Sequence, residues 1–571
     1  MRKLKCEICD STDIMKQEAF FACQICGVKY SIEEVRKMMN ENAAPSEQHA
    51  TSSEQSAVMP EQNAVISEEI PVSTMLLKGS ACYLGENYAE AASWFEKAAE
   101  QGDAEAQYLL GSMYINEEGV PQDYAKAAKW LRLAAEQGRA DAQRKLGTCY
   151  YYGAGVSQDY AKAAEWRHLA AEQGDADAQC ELGDAYNFGI GVPQDYEEAA
   201  RYYEMAARLG HADAQIKLGN YYLQGYGVPQ DEAKGREWIH LAAEQGGAKA
   251  QYMLGRTYAL VEGTSQNHAQ AALWYEKAAK QGYVAAQFDL GLHYHKGAGV
   301  SQDYAKAVEW YRLAAEQGHA DAQYNLGNCY LNGEGVLQDY TKAAEWLRLA
   351  AEQGEASAQF NLGMLYNKNE YVQDYAKAVE WLRLAAEQGH TGAMFNLGLC
   401  YSNGEGVPQD NEKALEWYHL AAETGNAIAQ EWLGISYELG DIVPQDFAQA
   451  VFWYTKAAEQ GSDIAQLNLG ERYMSGRRGV SQDYAEATKW FRLAAEQGNE
   501  SAQYELAMCY ASGKGVEKDC TQFAMWAQKA ADQGHEKAQS ILNGIKQKGI
   551  CPHCSGKLAN PSLRSCAACG K

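Results

Sequence analysis

Apolar and small residues recur along most of the chain in two alternating helical phases, separated by glycine-rich breaks. In the stretch 320–354, Leu326 and Tyr330 lie four apart with Gly327 beside them. That spacing is one face of a helix, and the glycine leaves room for another backbone. Asn332-Gly333-Glu334-Gly335 then breaks the helix, because glycine takes positive φ at little cost. Asp339 stands where a second helix needs its N-cap. On that helix Ala343, Trp346 and Ala350 fall at i, i+3 and i+7, which predicts a Trp ring packed into the core among small neighbours. Gly354 is the expected glycine just past its end.

The same unit returns along the chain. Trp94, Trp130, Trp166, Trp238, Trp274, Trp310, Trp346, Trp381, Trp417, Trp453, Trp490 and Trp526 share one position, with Tyr202 standing in once. Successive members are 36 residues apart, except 35 into Trp381 and 37 into Trp490. A fixed period of this length predicts a stack of hairpins, since one hairpin cannot bury its apolar face alone. The first unit is atypical, with Tyr83 only eleven residues before Trp94 and no Gly-x-Gly-Val loop, and reads as an N-terminal cap. The loop motif is lost around Val261–Gly263 and Lys368–Glu370 and altered at Gly440–Val443, where local curvature is expected to change. Glu536 to about Lys546 keeps the first-helix pattern, with Gln539 and Leu542, and reads as a C-terminal capping helix.

The ends carry different chemistry. Cys6, Cys9, Cys23 and Cys26 form two Cys-x-x-Cys knuckles with thirteen residues between them, and Cys551, Cys554, Cys566 and Cys569 form two more with eleven between them. Each set can offer four thiolates to one tetrahedral Zn2+, giving two zinc ions per chain; rubredoxin-like iron takes the same donors. Phe20 and Phe21 suit a short β-ribbon between the first knuckles, and Ser31-Ile-Glu-Glu34 is a capping box for a short helix to about Met39. The start resembles a bacterial zinc ribbon followed by a helix. Such shells are closed and leave no position for a substrate. His553 is a competing ligand within a set that four cysteines already complete. The composition of 40–71, rich in Glu, Ser, Ala, Gln, Asn and Pro and without aromatics, predicts a disordered tether. The expected organisation is therefore 1–39 zinc ribbon plus short helix, 40–71 linker, 72–546 repeat array with capping helix, and 547–571 zinc ribbon.

Charge narrows the partners. The net charge is −26, and the flanking stretches 1–37 (+1), 38–71 (−6) and 544–571 (+5) cancel, so the array itself carries the whole excess. Such a surface repels nucleic acid and anionic lipid. No apolar run has the length of a membrane span, and no secretory signal follows Met1. With the remaining cysteines (Cys82, Cys149, Cys180, Cys329, Cys400, Cys509 and Cys520) scattered, the usage fits a reducing, cytoplasmic setting. His293 and His295, two apart on a helix, face different sides and predict no shared metal.

The sequence of small residues, Leu-Gly, Tyr, Gly-x-Gly-Val, Asp-Tyr, Lys-Ala, Trp, Ala-Ala and Gly resembles the Sel-one-like repeat, the longer relative of the tetratricopeptide repeat, over about residues 72–546. The resemblance implies an all-α fold: a right-handed α/α superhelical solenoid of about thirteen hairpins, here flanked by two zinc-ribbon modules. It also implies an adaptor that holds protein or peptide ligands and does no catalysis. A secreted, cysteine-rich branch of the family is described as β-lactam-recognising, but Cys149, Cys329 and Cys400 have no partner Cys on the second helices of their repeats. The other rival is a nucleic-acid-associated protein touching DNA or RNA through the basic C-terminal ribbon. In tetratricopeptide folds the first helices line the concave surface, which places the residues before Leu and after Gly in a groove. The first set gives Asn325, Asn361, Asn396, Trp432 and Asn468, and the second Asn328, Met364, Leu399, Ile435 and Glu471. A row of amides beside apolar side chains suits an extended or helical peptide, with Trp432 as anchor.

Overall fold

The computed structural model describes residues 70–260, 265–476 and 480–547, together with three short strands near the N-terminus. The strands β1 (Ile14–Gln17), β2 (Phe20–Cys23) and β3 (Lys29–Ser31) form one antiparallel sheet in the order β1-β2-β3, with Phe21 opposite both Lys16 and Tyr30. The ribbon expected at Phe20 and Phe21 is thus β2. Ser31 ends β3, while the helix expected after it, the tether up to residue 69, and the cysteines other than Cys23 in both terminal sets lie outside the described residues.

From Val72 to Gln547 the described residues form 27 helices, thirteen hairpins and a last helix at Glu536–Gln547. Two compact units divide the chain between Thr257 and Tyr258. Within each unit a helix packs mainly on the helices before and after it in sequence. In the hairpin of Ala320–Asn332 and Tyr340–Glu352, the sequence signals act as expected. Asp339 Oδ1 accepts from the Lys342 amide at 3.0 Å, capping the second helix, and the Lys342 ammonium sits 3.4 Å from the other oxygen. Backbone and ammonium donors together hold that carboxyl below its ordinary range. At the far end Gly354 (φ +94°) donates to Ala351 and Glu355 to Ala350, closing the last turn. Gly335 answers a tighter demand: a Cβ there would lie 2.2 Å from the Tyr304 carbonyl oxygen, where the loop rests on the preceding repeat.

The loop departures are local. Asn369 ends its helix in extended rather than left-handed backbone, while Gly440 keeps the left-handed cap (φ +72°) and Val443 is buried. The break at 261–263 lies outside the described residues.

One expectation needs correcting. Trp346 is only half-buried, at the edge of the core, and the fully buried residue is its successor Leu347. Leu347 sits against Gly327, where an added Cβ would be 2.7 Å from its Cγ. Tyr203, Tyr311, Leu382, Tyr418, Tyr454 and Phe491 repeat that contact against the glycine of their own first helices. The invariance of Trp reads like burial, but the neighbouring residue fills the hairpin. At the same position Tyr202, Trp274, Trp453, Trp490 and Trp526 are themselves buried.

A polar ladder joins the hairpins. Gln143 donates to the Ala135 carbonyl at 3.1 Å and accepts from Gln173 at 2.8 Å, and the same pair recurs at Gln107/Gln137, Gln323/Gln353, Gln430/Gln460 and Gln503/Gln533. Each buried amide is thereby satisfied. Where the repeat has Met394 its partner is Thr424, whose hydroxyl lies 3.6 Å from the Met sulfur. Where Leu209 replaces the partner, the Gln179 carbonyl oxygen is buried without a hydrogen bond.

Candidate protein-interaction surface

The residues singled out for a groove lie on five successive first helices: Ala320–Asn332, Ala356–Lys368, Thr391–Asn403, Ala427–Leu439 and Asp463–Ser475. Asn325, Asn361, Asn396, Trp432 and Asn468 are all half-buried, as are Asn328, Met364, Leu399 and Ile435. The two positions meet between neighbouring repeats. Asn361 Nδ2 donates to Asn328 Oδ1 at 2.9 Å, and the same geometry in the first unit joins Lys145 to Ser112 at 2.8 Å and Lys217 to Asp184 at 2.7 Å. They form one strip, not two separate rows.

The strip's amides already have partners. Asn325 donates to the Asp321 carbonyl and Asn396 to that of Gly392, each one turn back on its own helix. Those bonds use only the amide N–H groups of Asn325 and Asn396. Trp432 is packed on Tyr418 with ring centroids 4.0 Å apart and belongs to the margin of a core cluster. Its ring therefore supports its own array as well as facing outward.

The apolar part of the strip borders a hollow at Met364. A hollow of about 380 Å³ there is lined by Asn361, Met364, Phe360, Leu365 and Leu331 of the preceding first helix. Asn361 at the rim and Met364 in the lining combine a polar handle with a flexible apolar contact. A wider hollow of about 500 Å³ lies at the ends of the second helices, beside the ladder pair Gln430 and Gln460 and the indole of Trp453, whose Nε1 is buried without a partner. Nothing in the sequence pattern marks that second hollow, because its lining comes from residues about thirty apart.

Charged groups enter the contacts between repeats both outside the strip and within it, where Glu471 follows Gly470 on Asp463–Ser475. Arg167 takes the core position after Trp166, and its Nε lies 2.8 Å from Glu181 Oε2 as an unaligned ion pair. Burial raises the Glu181 carboxyl, opposed by Arg167. Glu505 is likewise raised, first by burial and then by Glu471. Glu438 and Arg472 pair in the interior, with the Tyr454 hydroxyl donating to Glu438 at 3.0 Å. These are contacts between successive repeats, and none brings a nucleophile to a base.

The scattered cysteines Cys149, Cys180, Cys329, Cys400 and Cys509 are free and buried. His293 bonds to the Ala298 carbonyl while His295 faces Tyr311, so the two histidines have separate surroundings. No described helix is long and apolar enough to cross a membrane.

Comparison with known proteins agrees with this architecture. The Sel1 repeat model matches thirteen consecutive segments, from 72–103 through 500–535. A solved protective antigen of uropathogenic Escherichia coli, displaying an SLR fold, is 35% identical, with a TM-score of 0.57 over 81% of this chain and 91% of its own. A Sel1 repeat protein from Oxalobacter formigenes is 34% identical over 58% of this chain and 93% of its own, with a TM-score of 0.48. No curated protein matches. With the repeat model spanning most of its length, the chain belongs to the Sel1 repeat family.

Proposed function

We propose that the chain is a non-enzymatic scaffold that holds a partner protein through an extended or helical peptide laid on the first-helix strip of repeats 8–12. Sel1 repeats generally mediate protein–protein interaction. The observation that supports this site most is the hollow at Met364, where apolar lining and the Asn361 amide meet on an accessible helix face. Peptide backbone would bond to the amide oxygens, and apolar side chains would enter beside Met364 and Leu399. Because Trp432 also supports Tyr418, its removal would mix binding with packing, so the test rests on Met364→Glu. Partner capture by this variant should fall at least tenfold while helicity is unchanged. Capture at full strength by a folded Met364→Glu chain would place the partner elsewhere.

The terminal cysteines supply the scaffold with two closed modules, on the reading that each set of four holds one Zn2+. The donor chemistry fits, with Cys23 at the end of β2 in a small antiparallel sheet. The metal would act as a fold-stabilising clamp, worth on the order of 10 kcal/mol to such small domains. Protein purified without chelator should contain two zinc ions from these sets. Substituting Cys9 and Cys554 by Ser should remove both, and zinc content unchanged by that pair would refute the assignment.

A further inference from the structure

Between repeats 7 and 8, three metal-ligating side chains converge that the scaffold reading does not use. His295 ends the first helix of repeat 7 (Val284–Lys296), Cys329 lies on the first helix of repeat 8, and Glu334 is in the loop after it. One donor atom from each lies within 4.8 Å of the other two. His295 Nε2 is 3.3 Å from Glu334 Oε2, about the edge of a tetrahedron whose metal–donor bonds are near 2.0 Å. The other ring nitrogen, Nδ1, is 3.2 Å from the hydroxyl of the buried Tyr311. A ligating imidazole is commonly oriented through its remote nitrogen in this way.

The burial is graded as a metal site requires. Cys329 is 1% exposed, whereas the side chains of His295 and Glu334 are 29% and 36% exposed, leaving one side of the cluster open to solvent. The glycines flanking Glu334 hold its backbone, and the Glu334 amide donates to the Cys329 carbonyl at 3.0 Å. Elsewhere in the array the same slot between repeats is filled differently: Glu438 faces Arg472, and Asn367 approaches Cys400. Only here, among the described residues, do imidazole, thiol and carboxylate meet.

We propose that His295 Nε2, Cys329 Sγ and Glu334 form a three-donor site for a borderline divalent cation, Zn2+ foremost, that pins repeat 7 to repeat 8. Nitrogen, sulfur and oxygen donors together suit Zn2+ better than Mg2+ or Ca2+, which take oxygen. Cys329 gives up its thiol proton to solvent as the metal–sulfur bond forms, and Nδ1–H of His295 then donates to the Tyr311 oxygen. Three protein donors leave a fourth position to water or to a partner's side chain.

The test uses the full chain with Cys6, Cys9, Cys23, Cys26, Cys551, Cys554, Cys566 and Cys569 changed to Ser, so that terminal knuckles contribute no metal. Equilibrium dialysis against Zn2+ should give one ion per chain, lost with Cys329→Ala or His295→Leu and weakened at least tenfold with Glu334→Gln. Cobalt(II) added to the same chain should give a thiolate charge-transfer band, which needs no further variant. Absence of that band, zinc content near zero, or zinc retained by a folded Cys329→Ala chain would each overturn the site and leave only a His–Glu pair.

Discussion

The contact between Gly327 and Leu347 can be probed by exchanging volume across it. Gly327→Ala places a Cβ 2.7 Å from Leu347 Cγ and 3.1 Å from its backbone nitrogen, closer than packed atoms tolerate. Helix propensity would favour Ala by about 1 kcal/mol, but overpacking of this kind costs about 1–3 kcal/mol, so the net change is destabilising. Leu347→Ala removes a wholly buried side chain and should cost about 2–5 kcal/mol. The double variant should cost at least 1 kcal/mol less than the two singles together, because the new methyl occupies part of the space that Leu347 vacated. Repeat 13 already uses this solution: Ala507 stands at the glycine position and Ala527 at the Leu347 position, and both are buried. Whole-chain unfolding of a repeat array need not be two-state, so the readout is hydrogen exchange in peptides covering 320–354. Protection in the single variants should drop locally and partly return in the double. Strict additivity would refute the seating of Leu347 on Gly327.

Two further predictions follow from the ladder and the caps. Leu209→Gln should satisfy the orphaned Gln179 oxygen and stabilise the first unit by about 1 kcal/mol, measured by urea denaturation, because Leu209 is itself 60% exposed and loses little; no gain would mean that the ladder is not cooperative there. His390 caps its helix with an unprotonated Nδ1, which accepts from the Ala393 amide at 3.1 Å, and burial holds its pKa below the ordinary 6.5. The stability it contributes is full above pH 6.5 and lost as pH falls through the depressed value. His390→Asn, a cap that Asn426 and Asn499 already provide elsewhere, should flatten this loss between pH 7.5 and pH 5 in urea melts, and an unchanged slope would exclude His390 as its source.

The hairpins were legible because their signals are local. Asp339, Gly335 and Gly354 each act within a few residues of where they stand, or through backbone geometry that glycine alone allows. What the sequence obscured was which large residue is buried. Trp346 and Leu347 are adjacent and both apolar, and the more constant one lies at the edge, while the buried position tolerates Leu, Tyr, Ile, Phe and even Arg167. The ladder is polar on both sides and links residues about thirty apart, so it reads as solvated surface; the joint change to Met394 and Thr424 is its one trace in the sequence. The residues of the amide strip lie on first helices, as their spacing implies, but their internal bonds are not legible: Asn325 and Asn396 turn back on their own helices. In the sequence His295 stands beside His293, whereas its chemical partners lie 34 and 39 residues further on, in the next repeat.

A partner held along the first helices of repeats 8–12 would be captured covalently from that strip and not from the second helices. The most direct measurement places a photo-crosslinking amino acid at Met364, on that strip, or at Glu345, exposed on a second helix, in the otherwise unaltered chain. Irradiation in the native host should yield a discrete crosslinked protein from position 364 and none of the same mass from position 345. The same adduct from Glu345, with none from Met364, would contradict that placement.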